Sequence, residues 1–155
     1  MQLLLWRHAD AEEGWPDLER RLTARGRDQA KAMAAWIKPR LPARCKVLVS
    51  PARRAQETAA ALAIAHAVTE PRIAPGASVA AVMEAVHAAA GDDPQAAVLV
   101  VGHQPWLGEV AADLVTGQAD HWSVRKAGLW WLVEQGRGLW RIHAVMDREL
   151  IGDRG

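Results

Sequence analysis

The sequence predicts an α/β fold, a three-layer sandwich with a mostly parallel central sheet, helices on both faces and a C-terminal antiparallel hairpin. Three short apolar runs, at residues 3–6, 47–49 and 98–101, are separated by stretches in which apolar residues recur at helical spacing. Runs that are apolar throughout are typical of strands buried on both faces of a parallel sheet. Near the C terminus, partial alternation around a Gly-rich turn indicates the hairpin.

Local signals place the elements of the first half of the chain. We expect a strand at residues 2–6, a polar loop at 9–21, and a helix that Thr23 caps and that ends near Lys38. A second strand is expected at residues 46–49. Ser50-Pro51, a capping hydroxyl followed by proline, then predicts the start of a helix that continues to about residue 65.

The second half begins with a short third strand and ends in the hairpin. Its expected elements are a strand at 72–74, a helix at 79–90, a strand at 97–101, a helix at about 105–115, and hairpin strands at 128–134 and 139–146. Residues after Asp147 are expected to form a mobile tail.

Size and composition indicate a single soluble unit. The chain has 155 residues, a length that suits one domain, so we expect residues 1–155 to form a single domain. The net charge of +1 produces no overall field, and we expect neither a nucleic-acid nor a membrane partner. The single Cys45 and an N-terminal apolar run too short for a signal peptide predict a cytoplasmic protein.

Basic side chains follow three of the predicted strands. Arg7 and His8 follow the first, Arg54 lies one helical turn beyond the second, and His103 follows the fourth. Because the carboxyl ends of parallel strands meet at one edge of a sheet, we expect these four side chains to converge there. A neutral imidazole that attacks phosphorus, beside fixed positive charges that stabilise the equatorial oxygens, is what covalent phosphoryl transfer needs.

Each of these signals is weak when taken alone. An isolated Arg7-His8 pair is better explained by an ion pair and a loop hydrogen bond. A solvated pair of cations explains Arg53, whose side chain should point elsewhere, better than it explains Arg54. Gly102, before His103, is expected to allow a ligand to approach the backbone closely. None of the six histidines lies within four residues of another, so we expect no metal and no other cofactor.

Four segments together resemble the histidine phosphatase superfamily, which has the phosphoglycerate-mutase-like fold. The segments are Arg7-His8-Ala9-Asp10, Arg21-Leu22-Thr23-Ala24-Arg25-Gly26, Ser50-Pro51-Ala52-Arg53-Arg54-Ala55-Gln56-Glu57-Thr58 and Val101-Gly102-His103-Gln104-Pro105. The resemblance runs from Met1 to about Leu114. Within the superfamily, the short chain and the Arg-His-Ala-Asp form are most similar to SixA-type phosphohistidine phosphatases.

The resemblance implies a role for each of the four basic residues. His8 matches the nucleophile that is phosphorylated, Arg7 and Arg54 match the arginines that clamp phosphate, and His103 matches the second, phosphate-binding histidine. The implied function is a metal-independent phosphatase that removes phosphate from phosphohistidine on a protein through a covalent intermediate. A small-molecule phosphomonoesterase and a non-catalytic module that binds phosphate or phosphohistidine are the alternatives.

Two departures from the family pattern bear on the substrate. Ala9 stands where glycine is common, and the segment at 75–78, after the third expected strand, lacks the general-acid glutamate of many members. Asp10 or a neighbouring loop acid, Glu12 or Glu13, is either a substitute acid or a solvated charge. We also expect Asp10 and Arg21 to contact the substrate.

The expected nucleophile must satisfy two physical conditions. His8 has to be neutral to attack phosphorus, and the nearby cations are expected to lower its pKa. An acceptor, expected to be a backbone carbonyl, must orient the imidazole ring.

Overall fold

The fold positions six strands in one sheet. The computed structural model describes residues 1–151, in which the strand order is β3-β2-β4-β1-β5-β6. The strands are β1 Gln2–Arg7, β2 Lys46–Val49, β3 Val68–Thr69, β4 Ala97–Gly102, β5 Leu129–Glu134 and β6 Trp140–Met146. The pairs among β1 to β4 are parallel, and β5 and β6 add an antiparallel edge. This topology confirms the predicted sheet and hairpin.

Helices cover both faces of the sheet and so make the three layers. They are α1 Ala24–Ile37, α2 Arg53–Ala60, α3 Val79–Ala90, α4 Trp106–Thr116 and the short α5 Arg148–Ile151. Side chains of β1 alternate between two cores: Leu4 and Trp6 pack in the core that includes α1 and α2, and Leu3 and Leu5 pack in the core that includes α3 and α4. Because both faces are covered, the four central residues of β1, 3–6, are all apolar and buried.

The cap of α1 forms as expected. Thr23 is the N-cap, and its hydroxyl accepts a hydrogen bond from the backbone N–H of Gly26 at 2.9 Å. The helix ends at Ile37, and Lys38–Arg40 continues as a single 3-10 turn that contains the proline.

The expected start and end of α2 are wrong. The helix begins at Arg53 after Ala52, and the Ser50 hydroxyl accepts from the Ala52 N–H and hydrogen-bonds His103 instead of capping a helix that starts at Pro51. The helix ends at Ala60, well before residue 65, because Leu62 turns into the core and Ala63 adopts a left-handed φ of 51°.

The third strand is earlier than expected. It lies at Val68–Thr69, whereas residues 71–73 form a 3-10 turn. The Glu70 N–H donates to the Val49 carbonyl at 2.8 Å, and Pro71 has no N–H with which to extend that pairing.

The chain after Asp147 is structured as far as it is described. Arg148–Ile151 form α5, Ile151 packs against the core beside α1, and Glu149 pairs with Arg125 at 2.9 Å. The expected mobile tail is therefore wrong for these four residues, and the rest of it, 152–155, lies outside the described residues. No helix within 1–151 is long and apolar enough to cross a membrane. That residues 1–155 form one domain stays a prediction.

Gly102 has a packing role that differs from the expected one. A Cβ on Gly102 would collide with the indole of Trp106, at the start of α4, so its side-chain position faces that ring rather than a ligand. The absence of a side chain at the end of β4 therefore lets α4 pack close to the sheet.

We predict that Gly102→Ala lowers the free energy of unfolding by about 1–3 kcal/mol, as overpacking in a core generally does. Chemical denaturation measures this loss. The double variant with Trp106→Leu, which removes the colliding ring, should be less destabilised than the sum of the single variants. Additive losses would contradict the proposed contact.

Candidate active site

The carboxyl ends of three parallel strands bring His8 and His103 together. The His8 N–H donates to the Gly102 carbonyl at 3.0 Å, and the Ser50 N–H donates to the Val101 carbonyl at 3.0 Å, so the three strand ends lie side by side. The imidazole centroids of His8 and His103 are 5.2 Å apart. We call Arg7, His8, Arg54 and His103 the His-Arg cluster.

The ring of His8 is oriented by a backbone carbonyl. Its Nδ1 lies 2.7 Å from the Ala9 carbonyl oxygen. Because a carbonyl only accepts, the neutral ring carries its proton on Nδ1 and keeps a lone pair on Nε2. The Ala9 N–H donates to the hydroxyl of buried Thr58 at 3.0 Å, which holds this loop against α2.

The site keeps His8 neutral. Burial is the main cause that lowers the pKa of His8 to about 4, and the charges of Arg54, Arg7 and Arg20 lower it further. The hydrogen bond to Ala9 opposes this shift without cancelling it.

His103 lies deeper than His8 and is held by a serine. It is 2% exposed, and its Nε2 lies 2.6 Å from the Ser50 hydroxyl. Burial first, then the neighbouring His8 and Arg54, lower the pKa of His103 to about 3. Both imidazoles are therefore uncharged at neutral pH.

Two guanidinium groups, of buried Arg54 and partly buried Arg7, complete the His-Arg cluster. Arg54, in the first turn of α2, donates through Nη1 to the Asp17 carbonyl at 2.9 Å and through Nη2 to the Asp17 carboxylate at 3.1 Å. Arg7 donates through Nη1 to the Val124 carbonyl at 2.9 Å. Arg53 points elsewhere and pairs with Glu57 at 3.4 Å.

The loop acids expected near the substrate have other contacts. The Asp10 carboxylate accepts a hydrogen bond from Lys126 Nζ at 2.8 Å and another from the Thr23 hydroxyl at 2.8 Å. Both bonds lower the pKa of Asp10, and the bond from Lys126 has the larger effect. Arg21 is exposed and pairs with Glu12 at 2.9 Å, and Glu13 is exposed. The structure does not place these residues against the imidazoles, and their contact with substrate stays a prediction.

Asp17 and Arg20 are the loop residues that reach the His-Arg cluster. Asp17 bonds Arg54, its other carboxylate oxygen pairs with Arg20 at 3.0 Å, and Arg20 is one of the charges that lower the pKa of His8. Partial burial raises the pKa of Asp17, but the hydrogen bonds from Arg20 and Arg54 outweigh it and leave that pKa below its usual value. Apart from the three-residue spacing of these two opposite charges, no signal in the sequence distinguishes them from their neighbours.

Comparison with known proteins identifies the family. Residues 3–78 match the profile of the histidine phosphatase superfamily (branch 1). The chain is 32% identical to the phosphohistidine phosphatase SixA of Escherichia coli in an alignment of 124 positions that covers 76% of each protein. The chain belongs to the histidine phosphatase superfamily. It is also 35% identical to an uncharacterised protein of Picosynechococcus in an alignment of 161 positions that covers 97% of this chain and 93% of that protein.

A solved structure of a SixA protein has a fold similar to that of this histidine phosphatase homologue. Its fold matches SixA complexed with tungstate with a TM-score of 0.85, at 26% identity and over 98% of this chain and 100% of that one. The match confirms both the resemblance to SixA-type proteins and the phosphoglycerate-mutase-like fold expected with it.

We predict that the buried histidines make this phosphatase homologue less stable in mild acid. Unfolded histidine binds a proton below about pH 6.5, whereas a pKa of about 4 for His8 and about 3 for His103 leaves the folded protein unprotonated there. The unfolded state then holds more protons, so the free energy of unfolding falls as the pH drops from about 6.5 toward 4. His8→Gln should reduce this slope, measured by denaturation at several pH values.

The exposed His121 provides the control for that experiment. His121→Gln should leave the slope as in the unsubstituted protein, because its side chain is already solvated in the folded state. Equal slopes for the His8 and His121 variants would contradict the burial argument.

We also predict that Asp17→Asn increases the affinity for an oxyanion. The substitution removes the negative charge that Arg54 and Arg20 share, so tungstate should bind about 2–10-fold more tightly at low salt, with a smaller gain at high salt. Calorimetric titration measures this, with exposed Asp92→Asn as the control. Weaker binding would show that the Asp17 charge is needed to position Arg54.

Proposed function

We propose that this protein is a metal-independent phosphatase that removes phosphate from phosphohistidine on a protein through a covalent intermediate on His8. The observation that carries the proposal is the hydrogen bond from His8 Nδ1 to the Ala9 carbonyl at 2.7 Å. It leaves the lone pair of Nε2 on a neutral ring, next to His103, buried Arg54 and partly buried Arg7, which is the arrangement of an activated nucleophile.

In the first proposed step, His8 Nε2 forms a bond to phosphorus and the phosphorus–nitrogen bond of the substrate breaks. The departing imidazole nitrogen takes the electron pair of that bond and is protonated from solvent. Arg7 and Arg54 stabilise the negative charge on the equatorial oxygens. His103, at the end of the neighbouring strand β4, contacts the phosphoryl group, and the bound dianion raises the pKa of both histidines above the values set by burial.

In the second proposed step, water attacks the phosphorus of phospho-His8. The oxygen–phosphorus bond forms, the bond from phosphorus to Nε2 breaks, and the water loses its proton to solvent. Inorganic phosphate leaves, and the hydrogen bond to Ala9 returns the imidazole to its starting tautomer. The phosphoryl group therefore passes through His8 without a net change in the protein.

The electrostatics of the loop favour a phosphoramidate over an alkyl phosphate. Hydrogen bonds from cations lower the pKa of Asp10 and Asp17, so both are ionised at neutral pH and poor proton donors. Residues 75–78 contain no carboxylate. An alkoxide leaving group needs a proton in the transition state, whereas the imidazole of phosphohistidine is expelled more easily. Similarity to the phosphohistidine phosphatase SixA supports the same substrate.

We predict that kcat/KM for a phosphohistidine peptide exceeds that for an alkyl phosphate by at least about 10²-fold, the lower end of a general-acid contribution. A matched pair of substrates assayed by phosphate release tests this. A preference for the alkyl ester would favour the alternative function of a small-molecule phosphomonoesterase. Turnover of neither substrate would favour a non-catalytic phosphate-binding module.

A cytoplasmic location stays a prediction.

We further predict that His8→Ala abolishes turnover of the phosphohistidine peptide and leaves the circular dichroism spectrum unchanged. The control is His121→Ala, which removes an exposed imidazole outside the His-Arg cluster and should retain full activity. Activity in the His8 variant would contradict the assignment of the nucleophile.

A further inference from the structure

A cavity of about 280 Å³ lies beside Arg7, between α1 and the turn that precedes β5. Its lining is unusually basic, with five cationic side chains and one carboxylate: Arg7, Arg25, Arg125, Lys126, Arg148 and Asp10. Because Arg7 belongs to the His-Arg cluster and also lines this cavity, the cavity is adjacent to the proposed phosphate site.

Internal ion pairs account for only part of this positive charge. Lys126 pairs with Asp10 at 2.8 Å, and Arg125 pairs with Asp147 at 3.2 Å and with Glu149 at 2.9 Å. Within residues 1–151, neither Arg25 nor Arg148 lies within ion-pair distance of a carboxylate, although the charge of Arg25 helps to lower the pKa of Asp10. The described lining of the cavity therefore keeps more positive than negative charge.

The position of Arg25 adds a second, independent argument. Arg25 lies in the first turn of α1, a helix of 14 residues whose first turn contains no acidic residue. The N-terminal end of a helix dipole is positive, so a cation is unfavourable there and an anion is favourable. The Asp10 carboxylate, which accepts from the N-cap hydroxyl of Thr23 at 2.8 Å, supplies one negative charge at this end of α1. An anionic ligand in the cavity would add a second beside Arg25.

We propose that this cavity binds a carboxylate of the substrate protein, on an acidic side chain that flanks the phosphohistidine. The inference rests on the proposed function. Arg7 contacts the phosphoryl group on one side, and Arg25 and Arg148 contact the carboxylate on the other. The cavity thereby selects phosphohistidines in an acidic sequence over the same group in a neutral one.

The experiment compares two sets of peptides that carry a non-hydrolysable phosphonate analogue of phosphohistidine. The peptides differ only in flanking Glu or Gln, placed one to four residues from the analogue on either side. Binding is measured by calorimetry to the full chain and to the double variant Arg25→Ala/Arg148→Ala. The double variant Arg137→Ala/Arg141→Ala, which removes the same charge from the hairpin, is the control.

We expect at least one Glu peptide to bind about 3–10-fold more tightly than its Gln partner, the size expected for one or two partly exposed ion pairs. The advantage should disappear in Arg25→Ala/Arg148→Ala, persist in the hairpin control and shrink as salt is raised. The Gln peptides should bind all three proteins equally.

Two results would overturn the inference. One is equal affinity of the Glu and Gln peptides for the unsubstituted protein at every position. The other is an equal loss of affinity for the Glu and the Gln peptides in Arg25→Ala/Arg148→Ala, because these two residues would then affect binding through Arg7 and not through the flanking carboxylate. Because binding of the analogue requires no turnover, these results are distinct from a failure of the proposed function, which the phosphate-release assay with authentic phosphohistidine reports.

Discussion

The parallel pairing of β1 with β4 is the constraint on which the rest of the site depends. Arg7 and Gly102 are register partners, so His8 and His103 leave adjacent strands at the same level. Pairing of Val49 with Val101 places the end of β2 beside the end of β4. The turn at Ser50 then leads into α2, which carries Arg54 in its first turn. The chemistry of this protein thus depends on strand register, and register depends on apolar strands that are buried on both faces.

Burial then controls the protonation of the site. Because His8 and His103 are both buried, the pKa of each imidazole is lowered and both rings are held neutral, as a nitrogen nucleophile requires. The buried Arg54 needs an acceptor in the same environment, and Asp17 supplies one with its carboxylate and its carbonyl. The loop between β1 and α1 therefore forms the rim of the site and, through Asp17, also balances the charge of Arg54.

The buried strands and the convergence of the residues that follow them can be predicted from the sequence, because they depend on apolar runs and on where parallel strands end. The apolar runs of β1, β2 and β4 indicate buried strands, and the residues after them are brought together because parallel strands end at one edge. The limits of α2 and β3 are not predicted from the sequence, since Leu62 packs into the core and Pro71 ends a strand pairing that begins three residues earlier, at Val68. The roles of Asp17 and Arg20 are not predicted either, because nothing local distinguishes them from Asp10 and Arg21 until the loop folds over Arg54.

We propose that Nε2 of His8 receives the phosphoryl group. This can be tested by trapping the phosphoenzyme in alkali after rapid mixing with phosphohistidine peptide and locating the phosphorus–nitrogen bond by mass spectrometry and nitrogen-15 NMR. We expect a single adduct on His8, bonded to Nε2, because Nδ1 is engaged with the Ala9 carbonyl. Phosphorylation of Nδ1, an adduct on His103, or turnover through no covalent adduct at all would contradict it.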